Sequence, residues 1–429
     1  MKAFRVSKLY NGTRMDPVES AVVVVDGEKI VNVLPRCSLR YLEKWHLPVE
    51  EQFSELIMTP GLIDSHVHLM LPGDGTLGED LMRRATPGEI QILAYRNAET
   101  ALHSGVTTMR DVGAAMNVDL NVRRFLQDNF SRDGHTIGPD ILCCGKPLTA
   151  TGGHCHYMGG EVDSPTEICR MIRQQQKEGT DWVKVMATAG GTRGISQGDP
   201  FTPEQLTAAV EEAHRQDMRI TMHASRINGL RKVVASAPDG IEHCQFTDNW
   251  QCVKDEALAE TICRNGTHPC HTMAVNVSIL SFLQDKPHSL WTEEELAVYS
   301  AQKRWQELMP EQLAFQLRCG VPTVGGSDAG WRYTSFHDGM TISMEMMAQA
   351  GMNTVDIIYS CTGLNADYLG IGEQLGTLVP GKQADFLLLE KDPAESISNF
   401  RTILHIYKKG YPVHSMWTVS EHSPRWMTI

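Results

Sequence analysis

Apolar and polar positions repeat in one pattern at three places along the chain. At each place a Ser or Thr is followed by proline and, three positions on, by Glu or Gln, and an apolar helical period then leads into a short apolar run. The three openings are TPGE at 86–89, SPTE at 164–167 and TPEQ at 202–205, and the runs that follow their helices lie at 106–109, 182–186 and 219–222. The openings are capping boxes with proline at the first helical position, so each unit predicts a helix followed by a strand.

The same alternation extends over residues 60–370. Apolar runs at 240–242 and at 321–325, the second after a helical segment at 310–319, bring the number of units close to eight. Helices that alternate with buried strands indicate βα units on a parallel sheet, and about eight units fit a (β/α)8 TIM-like barrel better than an open sheet. We therefore predict an α/β fold with a barrel at 59–371. The Glu-rich stretch 290–307 is predicted to be an inserted helical segment.

Both ends of the chain show short strands and tight turns instead. Residues 21–30, AVVVVDGEKI, predict a strand, a turn and a second strand. Near the other end, the turn Pro380-Gly381-Lys382 precedes an apolar strand at 384–389. We expect the two ends, 1–58 and 372–429, to pair into one small β-domain that flanks the barrel.

Composition narrows the class of protein. The 429 residues carry 39 Lys and Arg against 52 Asp and Glu, a net charge of −13, which argues against nucleic acid as a partner. The longest apolar run is about five residues, far below the roughly 20 that span a bilayer, so we expect no membrane association. The N-terminus has no secretory apolar region, and the eleven cysteines are scattered. These features predict a cytoplasmic protein with reduced thiols.

The sharpest chemical feature is an HxH pair, His66 and His68, at the end of an apolar run. Alternate residues of a strand share a face, so both imidazoles would point the same way and offer a metal chelate. The pair by itself leaves a second interpretation equally open, in which one histidine is buried and the other lies on the surface.

Four further polar residues end or interrupt predicted strands: Lys184, His223, His243 and Asp328. Each one alone would more often be a satisfied residue of the core or rim, and Lys184 a snorkelling surface lysine. Together with the HxH pair they occupy five strand ends, and active sites of barrels lie at the C-terminal ends of the strands. The set therefore predicts an active site at these strand ends.

These motifs resemble the amidohydrolase superfamily of metal-dependent hydrolases. The matching segments are PGLIDSHVHL at 60–69, DWVKV at 181–185, TMHA at 221–224, GIEH at 240–243, GGSDA at 325–329, and the terminal segments VVVVDGEKI at 22–30 and GTLVPGKQADFLLLE at 376–390. The chain is most similar to the imidazolonepropionase-like branch, which includes prolidase-type dipeptidases, ochratoxin amidase, and carbamate and phenylurea hydrolases. The resemblance covers nearly the whole chain. It implies that the terminal segments form a split β-sandwich.

The resemblance also implies a binuclear metal centre and a mechanism. The implied ligands are His66, His68 and Asp328 for the more buried ion, His223 and His243 for the second ion, and Lys184, carboxylated by CO2, as a bridge between the two. Zinc is the default ion, and cobalt or manganese would fit the same ligands. A metal-bridging hydroxide would attack the substrate, and Asp328 would act first as general base and then as general acid.

Two residues are implied in substrate binding. A TGGH element at 151–154 resembles one whose histidine faces substrate in the dipeptidase-like enzymes, which gives that role to His154. Arg226 would grip a substrate carboxylate with its planar fork, although a surface position is equally compatible with the sequence. The segment Ala224-Ser225-Arg226 departs from the aromatic residue of many relatives, which weakens a direct transfer of dipeptide specificity. The sequence assigns no role to His156, His268 or His271.

The leading hypothesis is a binuclear hydrolase that cleaves an amide-type C–N bond in an N-acyl amino acid, dipeptide, carbamate or urea. The alternative is a mononuclear deaminase or a cyclic amide (imidazolone-like) hydrolase on the same fold. The presence of Lys184, and the absence of glutamate at 224–226, favour the binuclear hypothesis. A non-catalytic binding protein is disfavoured because all six ligands are present. We expect a small-molecule substrate and, by analogy with the family, a homo-oligomer.

Overall fold

A computed structural model describes residues 1–35, 46–129, 138–192 and 198–414. Its strands are β1 (Lys2–Arg5), β2 (Lys8–Leu9), β3 (Val18–Glu19), β4 (Ala21–Asp26), β5 (Lys29–Pro35), β6 (Val49–Glu50), β7 (Ile57–Pro60), β8 (Leu62–Val67), β9 (Val106–Asp111), β10 (Asp140–Cys143), β11 (Trp182–Val185), β12 (Arg219–His223), β13 (Gly240–Glu242), β14 (Thr247–Asp248), β15 (Gln251–Cys252), β16 (His268–Cys270), β17 (Phe386–Leu389), β18 (Ile403–Lys408) and β19 (Tyr411–Pro412). Its helices are α1 (Gly78–Arg84), α2 (Pro87–His103), α3 (Val118–Asp128), α4 (Pro165–Glu178), α5 (Pro203–Arg215), α6 (Ile227–Ala235), α7 (Glu256–Asn265), α8 (Ala274–Asp285), α9 (Glu293–Arg318), α10 (Gly339–Gln349), α11 (Thr354–Ser360) and α12 (Gly363–Leu369). Within the described ranges, no helix combines the length and the apolar character that crossing a membrane requires.

Parallel strands joined through helices form the central part of the chain, which confirms the predicted α/β class. One sheet has the order β10-β9-β8 and another the order β11-β12-β13-β16, and all their pairings are parallel. Three single parallel bridges add to them: Leu148 with Val185, Cys270 with Val324, and Val67 with Ala329. Because the strands run parallel, their C-terminal ends lie on the same side of the sheets.

The caps predicted from sequence begin the helices that connect these strands. Thr86 and Thr202 form reciprocal capping boxes at α2 and α5. At α4, Ser164 accepts a hydrogen bond from the Glu167 amide, but the Glu167 carboxylate accepts from the Asp163 amide and the Ser164 hydroxyl instead of the Ser164 amide. The predicted box is therefore only half formed there, because the chain before α4 presents the Asp163 N–H to the same carboxylate.

The predicted strand at 321–325 is wrong, since only Val324 makes a bridge in that segment. Single backbone hydrogen bonds hold the segment instead: the Val324 amide donates to the Pro269 carbonyl and the Gly325 amide to the Ser360 carbonyl, both at 3.0 Å. The segment is also closely packed, since a Cβ on Gly326 would lie 2.3 Å from Cys270 Sγ. The two helical segments predicted at 290–307 and 310–319 are largely one helix, α9, which continues through Pro310.

The ends of the chain meet in one mixed sheet. Its order is β19-β18-β17-β7-β2-β3, and β17 from the C-terminal part pairs antiparallel with β7 from the N-terminal part. A second sheet, β5-β4-β1-β6, contributes Phe4 to a shared apolar core, where its ring lies 5.0 Å from that of Phe386. The parts of the predicted terminal domain at 36–45 and 415–429 lie outside the described residues.

Candidate metal centre

Six side chains converge on one small cavity at the C-terminal ends of the parallel strands. The cavity has a volume of about 60 Å³, and its wall includes the six predicted ligands: His66, His68, Lys184, His223, His243 and Asp328. All are buried except His243, which is partly exposed. The positions of these residues on β8, β11, β12 and β13 explain the convergence. Each of these strands carries a predicted ligand at its last position or directly next to it.

His66, His68 and Asp328 form a close group in the cavity wall. Their ligating atoms all lie within 4.8 Å of one another. His66 Nε2 is 3.4 Å and His68 Nε2 is 3.6 Å from the same oxygen, Asp328 Oδ1. Asp328 Oδ1 is buried and accepts no hydrogen bond from the described residues. Two imidazole nitrogens beside a carboxylate oxygen with free lone pairs are a donor set suited to a divalent transition metal, so these residues fit the ion that the family implies.

His223 and His243 lie beside this group. Their ring centroids are 4.4 Å apart, and the His243 centroid is 5.2 Å from that of His66. His243 Nδ1 is 2.6 Å from Thr272 Oγ1, which fixes the ring. Both His243 and Asp328 have positive φ angles, +67° and +62°. Such a backbone is costly for residues other than glycine and is found where a side chain must be aimed at a functional site.

The electrostatics of the cavity favour ligating forms of these groups. Burial lowers the pKa of His68 to about 4, so its imidazole is neutral at pH 7 and keeps a lone pair for a metal. Burial also lowers the pKa of Lys184, so the neutral amine becomes more accessible there than on the surface. Burial alone would raise the pKa of Asp328, but His66 and His68 outweigh it and hold this pKa well below its usual range.

Behind His66 lies a buried ion pair, Glu242 with Arg110, that the sequence did not predict. Glu242 Oε2 is 2.6 Å from His66 Nδ1, and Arg110 Nη2 donates to Glu242 Oε1 at 2.6 Å. The Thr221 hydroxyl donates to the same Oε1, and Arg110 Nε donates to the Ser65 carbonyl at 2.8 Å. His66 therefore donates through Nδ1 and turns Nε2 towards Asp328, as metal-ligating histidines commonly do.

Glu242 also belongs to a second close group, with His66 and Cys270, whose ligating atoms lie within 4.8 Å. Since both Glu242 oxygens already accept hydrogen bonds, we assign this group to support of His66 and not to metal binding. The signal available in the sequence was a glutamate inside the buried run GIEH. The contacts it makes with residues 110 and 66 come from distant segments and carry no local pattern.

The two predicted substrate residues differ in position. His154 is buried and lines the cavity, its Nδ1 is 2.7 Å from Thr192 Oγ1, and burial lowers its pKa to about 3. Trp331 closes the same side, with its ring centroid 5.6 Å from that of His154. The structure does not bring Arg226 to the cavity, because this residue is exposed at the N-cap of α6.

The three histidines without a predicted role also lie outside the cavity wall. His156 is partly buried, and its Nδ1 is 3.1 Å from the Gly153 carbonyl oxygen. The His268 ring stacks on Tyr368 with centroids 5.2 Å apart. His271 is fully buried, and neither ring nitrogen has a hydrogen-bond partner among the described residues.

Known proteins match this chain in sequence and in fold. The model of the amidohydrolase family matches residues 57–413. An ochratoxinase of Aspergillus niger is 24% identical over 444 residues, which cover 92% of this chain and 83% of the relative. A crystal structure of a Xaa-Pro dipeptidase with bound methionine superposes with a TM-score of 0.79 at 23% identity, covering 96% of this chain and 99% of that one. A molinate hydrolase structure gives 0.77 at 20% identity, covering 96% and 94%.

The family model thus spans most of the chain, including β7, β17, β18 and β19 of the mixed sheet and every residue of the cavity wall. Members of this family generally bind metal ions, and the cavity holds a suitable donor group. The chain therefore belongs to the amidohydrolase family and is a hydrolase that acts on carbon–nitrogen bonds.

Proposed function

We propose that this chain is a binuclear metal-dependent hydrolase that cleaves an amide-type C–N bond in a small molecule. The candidate substrates are N-acyl amino acids, dipeptides, carbamates and ureas. The observation that carries the proposal is the convergence of six potential ligands, including a buried lysine, on one cavity.

In this proposal His66, His68 and Asp328 would hold the more buried ion, and His223 and His243 would hold the second. Lys184, carboxylated by CO2, would be a ligand to both. Zinc is the default, and cobalt or manganese would suit the same donors. When bound, the ions would polarise the scissile carbonyl and lower the pKa of a water molecule towards neutrality. Carboxylation would also convert the buried amine into an anion, which resolves the cost of burying a lysine.

The chain's own residues would supply proton transfer and orientation. Asp328 Oδ1, with no hydrogen-bond donor committed to it among the described residues, would accept the proton of the attacking water and pass it to the departing nitrogen. Thr192 accepts from the Cys155 amide at 2.9 Å and would donate its hydroxyl proton to His154 Nδ1. His154 would then present Nε2–H to the substrate carbonyl. Trp331 and Met186, in the cavity wall, would limit the access of water.

We also propose the finer features of the architecture. The parallel sheets and the three single parallel bridges support an eight-stranded barrel closed over 59–371. The apolar core shared by the two terminal sheets supports a β-sandwich built from 1–58 and 372–429.

The alternative is a mononuclear deaminase or cyclic amide hydrolase, and one observation favours it. Within the described part of the chain, the only close ligand group that faces the cavity has three members, His66, His68 and Asp328, as one ion requires. Lys184 argues for the binuclear centre, because a buried amine in the cavity wall has no evident use in a mononuclear site.

Metal content separates the two proposals. Elemental analysis of protein purified with bicarbonate and without chelators should give about two divalent ions per chain. Lys184→Ala should lower the content to about one and remove most activity, whereas Lys177→Ala, an exposed lysine on α4, should change neither. One ion in the wild type, together with turnover of lactams or cyclic amidines but not of linear amides, would favour the alternative. An unchanged kcat in Asp328→Asn would contradict the proton transfer assigned to Asp328.

A further inference from the structure

The cavity at the metal centre is too small for the whole substrate. Its volume is about 60 Å³, whereas sites for small organic ligands usually measure about 300–1,000 Å³. The rest of the substrate must extend into neighbouring space.

A second cavity of about 350 Å³ lies between α8 and α9. Ile279 and Leu283 from α8 and Val298 from α9 form an apolar part of its wall. Glu295 also lines it, but its carboxylate is paired with Lys286, whose Nζ is 2.7 Å away. The acidic charge in this wall is therefore already neutralised by a cation of the protein.

Arg332 links the walls of the two cavities through its neighbour in sequence and through one hydrogen bond. It lines the second cavity, whereas its neighbour Trp331 lines the first. Arg332 Nη2 donates to the carbonyl oxygen of Gly191 at 3.0 Å, and Gly191 lines the first cavity. The positive φ of Arg332, +54°, turns the chain so that two consecutive side chains serve different cavities.

The guanidinium of Arg332 keeps most of its hydrogen-bonding capacity. Among residues of the described ranges it makes one side-chain hydrogen bond, to Gly191, and its Cζ lies 5.8 Å from the centroid of the Trp331 ring. A guanidinium has five N–H donors in a fork that matches a carboxylate. A cation with free donors, beside an apolar cavity and next to the reacting centre, is suited to an anionic ligand with an apolar body.

We infer that Arg332 and the second cavity bind the amino-acid half of an N-acylated or peptidyl apolar amino acid. The α-carboxylate pairs with Arg332, and the side chain packs against Ile279, Leu283 and Val298. Hydrolysis consumes one water, breaks the C–N bond, and releases a carboxylic acid and the free amino acid. This inference rests on the proposed function, and it selects acidic substrates over neutral ureas and carbamates.

The test compares N-acetyl-L-leucine with the neutral N-acetyl-L-leucinamide. In Arg332→Gln the KM for the acid should rise roughly tenfold to hundredfold, because a charged hydrogen bond is lost, while the KM for the amide and both kcat values change less than about twofold. Arg124→Gln, an exposed arginine on α3, is the matched control and should behave as the wild type. Equal effects of Arg332→Gln on both substrates would overturn the inference, as would a selective effect of Arg226→Gln in its place.

The apolar part of the subsite has a separate test. Ile279→Trp fills part of the second cavity, so it should raise the KM for N-acetyl-L-leucine several-fold and leave that for N-acetylglycine unchanged. An equal effect on both would contradict the assignment of the cavity. If the wild type hydrolyses ureas or carbamates but neither acid, the inference fails and the proposed function stands. If the protein binds two ions and hydrolyses none of these compounds, the proposed function itself fails.

Discussion

Glu242 is the centre of the buried polar network behind His66. It accepts hydrogen bonds from His66, Arg110 and Thr221, and it is fully buried. Burial alone would raise the pKa of this carboxyl, but the Arg110 guanidinium and His66 outweigh it and hold the pKa well below its usual range. The Arg110 guanidinium also lies over the rings of Trp182 and Tyr368, at 4.5 and 5.1 Å from their centroids. The network therefore holds a charge pair in place and fixes the orientation of His66.

Glu242→Gln tests this role. The substitution keeps the size of the side chain but leaves the Arg110 charge buried without its partner, so the free energy of unfolding should fall by about 3–5 kcal/mol. Affinity for Zn²⁺, measured by competition with a chelator, should fall about 10- to 100-fold because His66 loses its fixed orientation. Thr221→Val removes a neutral donor to the same oxygen and should have a smaller effect on both quantities. Unchanged Zn²⁺ affinity in Glu242→Gln would show that Glu242 only stabilises the fold.

Two elements show how close packing and burial shape the parallel sheets. Near the single bridge at Val324, glycines allow the chain to pass beside other backbone segments. At the start of α3, Asp119 is fully buried, its Oδ2 accepts from the Gly145 amide at 2.8 Å, and its Oδ1 has no partner among the described residues.

Gly326→Ala should disturb both stability and the metal centre. The added Cβ would lie 2.3 Å from Cys270 Sγ and 3.0 Å from His66 Cβ, so the free energy of unfolding should fall by about 1–3 kcal/mol and metal content should drop. Gly88, in the first turn of α2, has no atom within 4 Å of an added Cβ. Gly88→Ala should therefore be neutral or stabilise by up to about 1 kcal/mol. Urea unfolding and elemental analysis of both variants would decide, and equal stabilities would contradict the prediction.

Asp119 should make stability fall as the pH rises. Burial raises its pKa to about 6 from a usual value of 3.8, so the folded state binds a proton that the unfolded state has lost between these values. Its contribution to stability is fully present below pH 3.8 and is lost as the pH rises through 6. Asp119→Asn should remove this term, on the order of 2–3 kcal/mol, and raise the free energy of unfolding more at pH 7.5 than at pH 5. Asp128→Asn, at the exposed end of α3, is the control. Equal gains at both pH values would contradict the assignment.

Across the whole molecule, a buried lysine connects the terminal sheet to the parallel sheets. Lys408 in β18 is fully buried, and its Nζ is 2.6 Å from Asp140 Oδ2 in β10 and 2.6 Å from Asp385 Oδ2. Burial by itself raises the pKa of Asp140, but Lys408 and Lys409 outweigh it and hold the pKa at about 2. The charge cluster thus ties β10 to the C-terminal strand pair β17–β18, more than 240 residues further along the chain.

Lys408→Met should destabilise the protein by about 3–5 kcal/mol at pH 7, because two carboxylates lose their buried cation. For Asp140 the folded pKa lies below the unfolded value, so its share of stability is present above pH 3.8 and is lost as the pH falls towards 2. The difference between Lys408→Met and the wild type should therefore shrink on acidification. Lys391→Met, an exposed lysine after β17, should match the wild type at every pH. Denaturant unfolding at several pH values measures this, and a difference independent of pH would contradict the account.

The sequence determined those features that depend on interactions between residues close together in the chain. Caps such as Thr86 and Thr202, and the two-residue period of His66 and His68, depend on backbone within a few residues, so the sequence determined them. The six predicted ligands converge because the ends of parallel strands lie on one side, which a chain of βα units dictates. Only the tertiary structure decided which distant partners meet. It pairs Glu242 with His66 and Arg110, and Lys408 with Asp140. It also brings Arg332, and not Arg226, to Gly191 in the wall of the cavity at the metal centre. Those pairings depend on packing between segments more than a hundred residues apart, and no local period encodes them.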